Sequence, residues 1–416
     1  MKKFLSLALS LLLAAAACLL SACDDRGGPG GYEDDTMSYS HLVYNVRTVA
    51  QLTGEAAVTD TLAGWQIGGT DLGFPLYNSR NGTMYLAFGD TFQRNTDMTG
   101  MWRSNVLAET KDFDLSDGLA IDGFYTGPTG LARAVIEGVH EDGKEMTKIP
   151  TGGIEVGGTM YLFYMSVRSW TTPGEWLVNY CSCVKSEDDG KTWQRVYGMT
   201  FFNDLEGELL DQAVTLANSD VSLQEGAGSV TPEGRVAPNF MQVFPVDGKD
   251  GYIYLFGLPQ GRSGGAKLAR VRAENIENFE EYEYFTGRSG EDPVFAKGAE
   301  GLAAANKAEG AYVIMPTVGE ISVMYNAYLK KWMAVFYKAN ALVFCTADTL
   351  WGEWSSCETL ITAAEYPGLY GGMCHEKFSA DGGKTFYFFL SQWMPVYNTF
   401  VMEVTLVRKA PLKYAI

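Results

Sequence analysis

Five stretches of the chain are almost wholly apolar and aromatic: 84–88 (MYLAF), 160–164 (MYLFY), 252–256 (YIYLF), 332–336 (WMAVF) and 386–390 (FYFFL). Strands buried on both faces have this pattern. A turn precedes each one: Asn81-Gly82, Gly157-Gly158, Asp250-Gly251, Lys330-Lys331 and Gly382-Gly383. Before each turn lies another short strand, and after most cores come one or two more. No heptads and no long helical period interrupt the pattern. Five copies of a unit of about four strands predict an all-β fold, a five-bladed β-propeller. The cores are unevenly spaced, so long loops (110–148, 200–235 and 286–318) are expected between blades. On a rigid propeller such loops build or wall a binding site. The segment 41–60 alternates weakly and is expected to close the ring beside 402–406.

Markers follow at the outer edges. Ser186-Glu187-Asp188-Asp189-Gly190-Lys191-Thr192-Trp193 matches the Asp-box pattern S-x-D-x-G-x-T-W. In that turn the Asp and Ser satisfy main-chain groups and the Trp packs between sheets, so Asp188 is assigned no chemistry. A second match, 379–386, precedes its strand core and reads as an Asp-Gly-Gly turn. Trp351-Gly352-Glu353-Trp354-Ser355 marks the outer edge of blade four.

The N-terminus is an address. Lys2 and Lys3 precede an apolar run from Phe4 to Leu20 that ends in Leu20-Ser21-Ala22-Cys23, a secretory signal with a lipobox-like cleavage site. Residues 1–22 are read as a lipoprotein signal and Cys23 as the lipidated first residue. Residues 23–40, rich in Gly, Asp and Glu, read as a flexible acidic tether. This stretch resembles the surface-export signal of Bacteroidetes lipoproteins, which implies an outer-membrane lipoprotein facing outward. Residues 41–416 form the propeller domain. The membrane would be met through the lipid alone, since no later stretch approaches the ~20 apolar residues of a span.

Composition narrows the function. The 416 residues are 46% hydrophobic and 13% aromatic with 47 Gly, which excludes wholesale disorder and favours sheets with tight turns. The net charge of −18 offers phosphate backbones no general attraction, so nucleic acid is not an expected partner. Three His leave little room for a His-rich metal site, and no cofactor is expected. Of the cysteines beyond Cys23, Cys345 and Cys357 could bridge one hairpin; Cys181, Cys183 and Cys374 read as buried small hydrophobes.

In a propeller the innermost strand of each blade lines the channel, and the second strand returns to the face where the first began. Counting back from each core puts Asp71, Asn239, Glu320 and His375 near the channel mouth. In blade two the corresponding stretch is Thr151-Gly152-Gly153, with Glu155 just inside. The ends of second strands add Asp90, Ser166, Lys338 and Gln392. Asp71 and Asp90 thus converge within one blade, with Glu320 arriving from across the axis. Glycoside cleavage needs such a pair: one carboxyl protonates the leaving oxygen while the other stays ionised. Proximity drives their pKa values apart. Each Asp could instead serve its turn, although Gly68, Gly69 and Gly73 around Asp71 suggest close approach by a ligand. Arg103, Asn105, Arg262 and His375 are candidates to hold substrate hydroxyls. Trp102, Trp170, Trp393 and Tyr370 are candidates to stack on sugar faces.

The strings Gly68-Gly69-Thr70-Asp71-Leu72-Gly73, Phe88-Gly89-Asp90-Thr91-Phe92 and Trp102-Arg103-Ser104-Asn105 resemble a bacterial propeller family, domain of unknown function 4185. So do Tyr254-Leu255-Phe256-Gly257 with Gly261-Arg262, Leu268-Ala269-Arg270-Val271, Ser322-Val323-Met324-Tyr325-Asn326 and Ser391-Gln392-Trp393. The likeness runs from about Gly64 to Leu406. It implies a relation to glycoside hydrolase family 183, whose endo-D-arabinanases cut the D-arabinofuranose chains of mycobacterial arabinogalactan and lipoarabinomannan. Asp71 and Asp90 are then the matched carboxylates, without assignment of acid, base or nucleophile. Two other readings stay open: a glycan-binding lipoprotein without catalysis, and a sialidase-like enzyme, which would need three Arg around a substrate carboxylate.

Overall fold

The five apolar cores form the second strands of five antiparallel sheets in a computed structural model that describes residues 41–219 and 228–408. They are Thr83–Phe88, Thr159–Trp170, Tyr252–Leu258, Lys331–Lys338 and Thr385–Gln392. Each is hydrogen-bonded to a preceding inner strand: Leu72–Asn78, Thr147–Val156, Gln242–Asp247, Ile321–Asn326 and Leu369–Ala380. The hairpin turns between them contain left-handed residues (Gly82, Gly158, Gly251, Lys330 and Gly382), as tight connections of twisted strands require. The inner strands pack side by side in chain order and the last packs against the first, which closes the ring of a five-bladed β-propeller. Because every sheet is covered by a neighbour on each face, the second strands carry no polar face: Phe88, Phe163, Phe256, Phe336 and Phe388 are fully buried.

The ring is fastened by its ends. His41–Gln51 pairs with Asn398–Arg408 as the outermost strand of blade five. The long insertions are partly folded rather than plain loops. Residues 200–235 contain the helix Gly207–Asn218, and 286–318 contain a strand Asp292–Lys297, the helix Gly298–Lys307 and a strand Tyr312–Ile314. The signal 1–22, Cys23 and the tether 23–40 lie outside the described residues.

The Asp-box turn has the geometry its pattern predicts. Ser186 Oγ, Thr192 N and Thr192 Oγ1 all donate to the Asp188 carboxylate, and buried Trp193 donates to Gly190 O. Neighbouring Asp189 accepts from Asn78 and Arg80, which ties blade two to blade one at the face away from the mouth.

The blades also meet one another at that far face. Between Cys374 and Ser379 the inner strand of blade five bulges out of register. The bulge sets Glu376 against Lys249 of blade three at 2.7 Å and Lys377 over the ring of Tyr77 of blade one. Phe378 packs on Phe113 and Phe389.

Candidate active site

The mouth is built where inner strands begin and second strands end. Asp71 immediately precedes the inner strand of blade one, and Asp90 follows its second strand. Gly89 N donates to Asp71 O, so the two residues are pinned across the end of one hairpin. A Cβ on Gly89 would stand 2.3 Å from Asp71 Oδ1; only glycine leaves room for that carboxylate. Gly68 and Gly69 have a different purpose from the one expected. Side chains there would meet the main-chain oxygens of Gln93 and Tyr397 at 2.2 Å, so the close approach is made by the chain itself, not a ligand.

The two carboxyls have unlike surroundings. Asp90 is buried, and its Oδ1 accepts from Thr147 Oγ1 at 2.6 Å and Trp102 Nε1 at 2.9 Å. Asp71 Oδ2 accepts from the hydroxyl of Tyr370 at 2.8 Å, while its Oδ1 is buried without a partner. Tyr397 donates to Asp90 O and lies against Asp71. Burial lifts Asp71 to about 7; the bond from Tyr370 and the nearby hydroxyl of Tyr397 oppose the rise and Glu320 adds to it. Burial lifts Asp90 to about 8, and repulsion from Asp71 adds to that, against the donors Thr147 and Trp102. A pair of carboxyls held near neutrality in one cleft is a signature of acid–base chemistry.

Glu320, just before the inner strand of blade four, faces the same cleft. Arg262 Nη2 reaches its Oε1 at 2.6 Å and Arg262 Nε bonds both oxygens at 3.2 Å. The guanidinium lies over the rings of Tyr337 (4.1 Å), Trp176 (5.4 Å) and Tyr370 (5.8 Å). Arg262 adopts a left-handed backbone (φ 58°), a conformation that costs a non-glycine residue roughly 1 kcal/mol and is held here by the ion pair. Glu320 and Arg262 therefore join Asp71 at the mouth as a neutralised pair.

The other expected residues divide. Trp393 follows the second strand of blade five and is 44% exposed; Trp170, at the same end of blade two, is equally exposed. Asn239 sits half-buried in the short turn Pro238–Phe240 ahead of the inner strand of blade three. Arg103 does not face the cleft: it is buried and donates to the carbonyls of Trp65, Gln66 and Ala132. Asn105 is buried too, and its amide is used up on Ile136 O, Lys148 O and the amides of Val135 and Ile136. Both hold loops and have no reach to a substrate.

His375 is also misplaced by the count. It lies in the blade-five bulge, toward the far face, where burial lowers its pKa to about 4. The bulge inserts residues between the mouth and the strand core, and Tyr370 takes the position the count assigns to His375. Glu155 lies at the far end of its strand and bonds Ser79 and Gly158 N. Trp102 is no platform for a sugar, because Phe92 stacks on it (5.8 Å) and His140 covers it (3.9 Å).

Three residues were missed by sequence reasoning. Thr147 lies as far before its core as Asp71 does before Met84, so the same count reaches it; the Gly-Gly string draws attention further along. Tyr397 and His140 come from connections whose path the pattern does not reveal. His140 Nε2 bonds Glu137 Oε1 at 2.8 Å, and Ser104 N donates to the same oxygen. Among the described residues, no cluster of three or more His, Cys, Asp or Glu is placed to hold a metal ion.

Comparison with known proteins agrees with the architecture. A candidate hydrolase from Bacteroides ovatus shares the fold with a TM-score of 0.51 at 12% identity, over 82% of this chain and 86% of that one. A family 117 glycoside hydrolase from Zobellia galactanivorans aligns at a TM-score of 0.42 and 12% identity, over 87% of this chain and 90% of that one. An endo-arabinase from Bacteroides thetaiotaomicron aligns at 0.38 and 14%, over 82% and 95%. At 12% identity the likeness to the Bacteroides ovatus protein is one of fold alone. No curated protein matches the chain in sequence. The family model of the domain of unknown function 4185 matches residues 56–403, and the chain belongs to that family.

Proposed function

We propose that the protein is a glycoside hydrolase in which Asp90 is the general acid and Asp71 the ionised partner. The observation that carries this reading is the buried pair itself, with the two pKa values lifted to about 7 and about 8. Asp90 keeps its proton to the higher pH. Its Oδ1 is filled by two donors, so the proton resides on Oδ2, free to pass to a leaving oxygen. Asp71 is steadied as an anion by Tyr370 and attacks the anomeric carbon or activates water. Glu320, neutralised by Arg262, contributes charge to Asp71 and a rigid polar wall.

The substrate we infer is a neutral furanosyl glycan, α-linked D-arabinofuranosyl chains of the arabinogalactan and lipoarabinomannan kind, cut internally. Trp170 and Trp393 are exposed on blades two and five, the two neighbours of the blade that bears Asp71 and Asp90. Aromatic rings on either side of the carboxyls suit a chain that runs across the mouth. A uronate or sialate is disfavoured: Arg262 is engaged by Glu320 and Arg103 by carbonyls. We place the enzyme on the cell surface, tethered through lipidated Cys23, where a polymer too large to import is met.

The test is product analysis on arabinogalactan with the wild type, Asp71→Asn and Asp90→Asn. Oligosaccharides from the wild type alone support the reading. Binding without cleavage by all three proteins makes it a glycan-binding lipoprotein. Cleavage that survives both substitutions removes these carboxyls from the chemistry and turns attention to Glu320.

A further inference from the structure

Blade four carries a pair of thiols that the proposed hydrolysis does not use. Cys345 lies in the third strand, Ala341–Ala347, and Cys357 immediately precedes the fourth, Glu358–Thr362. The register pairs Phe344 with Glu358, and Ser355 N donates to Thr346 O on the other side. The next step of that register sets Cys345 opposite Cys357. Facing positions of antiparallel strands have Cα atoms about 4.5–5.5 Å apart. That falls within the roughly 4.4–6.8 Å that a disulfide spans. Both cysteines are free in this structure, and the thiols interact directly.

The two are not equivalent. Cys345 is 1% exposed, whereas Cys357 is only half-buried. Lys338, from the second strand, brings its Nζ to 3.5 Å from Cys357 Sγ. An ammonium beside a thiol favours the thiolate, which is the nucleophile in disulfide exchange. The hydrogen bond from Cys345 and the charge of Lys338 hold Cys357 at about 6, against the opposing effect of burial. Cys345, behind it, is pushed up. An accessible, activated thiol backed by a buried one is the arrangement of an attacking and a resolving cysteine. Cys181, Cys183 and Cys374 are buried, and burial pushes all three thiols up, Cys183 even with Lys185 acting against the rise.

We propose that Cys345 and Cys357 are an oxidisable pair, with Cys357 as the attacking thiol and Cys345 as the resolving one. With a small disulfide such as oxidised glutathione as oxidant, the Cys357 thiolate attacks one sulfur and expels one glutathione thiolate. Cys345 then gives up its proton, attacks the mixed disulfide and expels the second. Two protein thiols and one glutathione disulfide become one protein disulfide and two glutathione thiols. The new bond closes the loop that bears Trp351 and Trp354. Trp354 packs edge-on to Phe256 of blade three at 5.9 Å, so the oxidised form locks that blade interface. An exported protein meets conditions in which such bonds persist.

The experiment incubates the purified protein in oxidised glutathione, blocks remaining thiols with N-ethylmaleimide and maps the peptides by mass spectrometry. The expected product links Cys345 to Cys357 and leaves the other described cysteines alkylated after unfolding. Cys345→Ser should accumulate glutathione on Cys357, and Cys357→Ser should take up none on Cys345. Lys338→Met should slow alkylation of Cys357 by roughly ten-fold at about pH 5, below the thiol's own pKa, where a rise of about one unit lowers the thiolate fraction in proportion. Five free thiols after oxidation of the wild type, or a link between other cysteines, would overturn the proposal. Unchanged alkylation in Lys338→Met would remove Cys357 as the activated partner.

Discussion

The Asp-box turn and the mouth of blade one each present an aspartate beside a tight glycine turn, and the two are opposites in physical chemistry. Asp188 takes three donors on its two oxygens and is only half-buried. Burial alone would raise its pKa, but the bonds from Thr192 and Ser186 pull it below the usual carboxylate range. Asp71 takes one side-chain donor, leaves an oxygen bare in the interior and is pushed the other way. A turn aspartate is satisfied because its task is to hold the chain. At the mouth burial decides instead: it outweighs the bond that Asp71 accepts and the two that Asp90 accepts, and lifts both. The cost of burying them is borne by the packed ring around them.

The sharpest test of this contrast is substitution of each carboxyl by its amide. Asp90→Asn should lower turnover by about 10²–10⁴-fold, the usual contribution of a positioned acid. Asp188→Asn should leave turnover on the same glycan unchanged. Equal losses from the two would erase the distinction. The next largest effect is expected from Gly89→Ala. Its methyl would press on Asp71 Oδ1 from 2.3 Å and turn the carboxyl away from the cleft. A displacement of about 1 Å at a reacting group can cost on the order of 10²-fold. The loss should appear in kcat rather than KM, because the exposed tryptophans remain. Full activity in Gly89→Ala would mean that the position of Asp71 is not critical.

Much of this contrast is legible in the sequence, and the failures have physical causes. Five runs without a polar face announce five sheets covered on both sides, because a half-exposed strand would alternate. The count from core to mouth finds Asp71, Glu320 and Asn239 because hairpins of regular strands keep their register. It fails for His375, since a bulge adds residues without changing the hydrophobic pattern around it. Arg103 and Asn105 look like substrate ligands because they are polar and close to Asp90 in the chain. Their partners are main-chain groups of Trp65, Gln66, Ala132 and Ile136, brought near only by the fold. No local pattern reports which polar side chains are consumed in that way.

A smaller effect is expected at the turn itself. Asp188→Ala removes the acceptor of Ser186 Oγ, Thr192 N and Thr192 Oγ1 while leaving the mouth untouched. The stability lost should be about 1–2 kcal/mol, as for other half-exposed hydrogen-bonded groups. Thermal melting checks this, and an unchanged Tm would make the box ornamental to this fold.

The last effect is the most discriminating, because the two kinds of aspartate should respond to pH with opposite signs. Asp71 and Asp90 have folded pKa values raised to about 7 and about 8, so the folded state holds their protons more tightly than the unfolded chain. Stability from that source is fully present below the ordinary carboxylate value and is lost as pH rises through the folded values. Asp188 has a lowered folded value, so its contribution is present above the ordinary value and is lost as pH falls through the lowered one. An Asp71→Asn, Asp90→Asn double variant should therefore gain Tm over the wild type steadily from about pH 5 to about pH 8, since amides have no proton to lose. Asp188→Asn should be short of the wild type by a constant amount near neutrality, with the deficit closing only in strong acid. Parallel curves for the wild type and the double variant would mean that the mouth carboxyls titrate like surface ones. Asp90 would then be ionised at neutral pH and unable to supply the proton that glycoside cleavage needs.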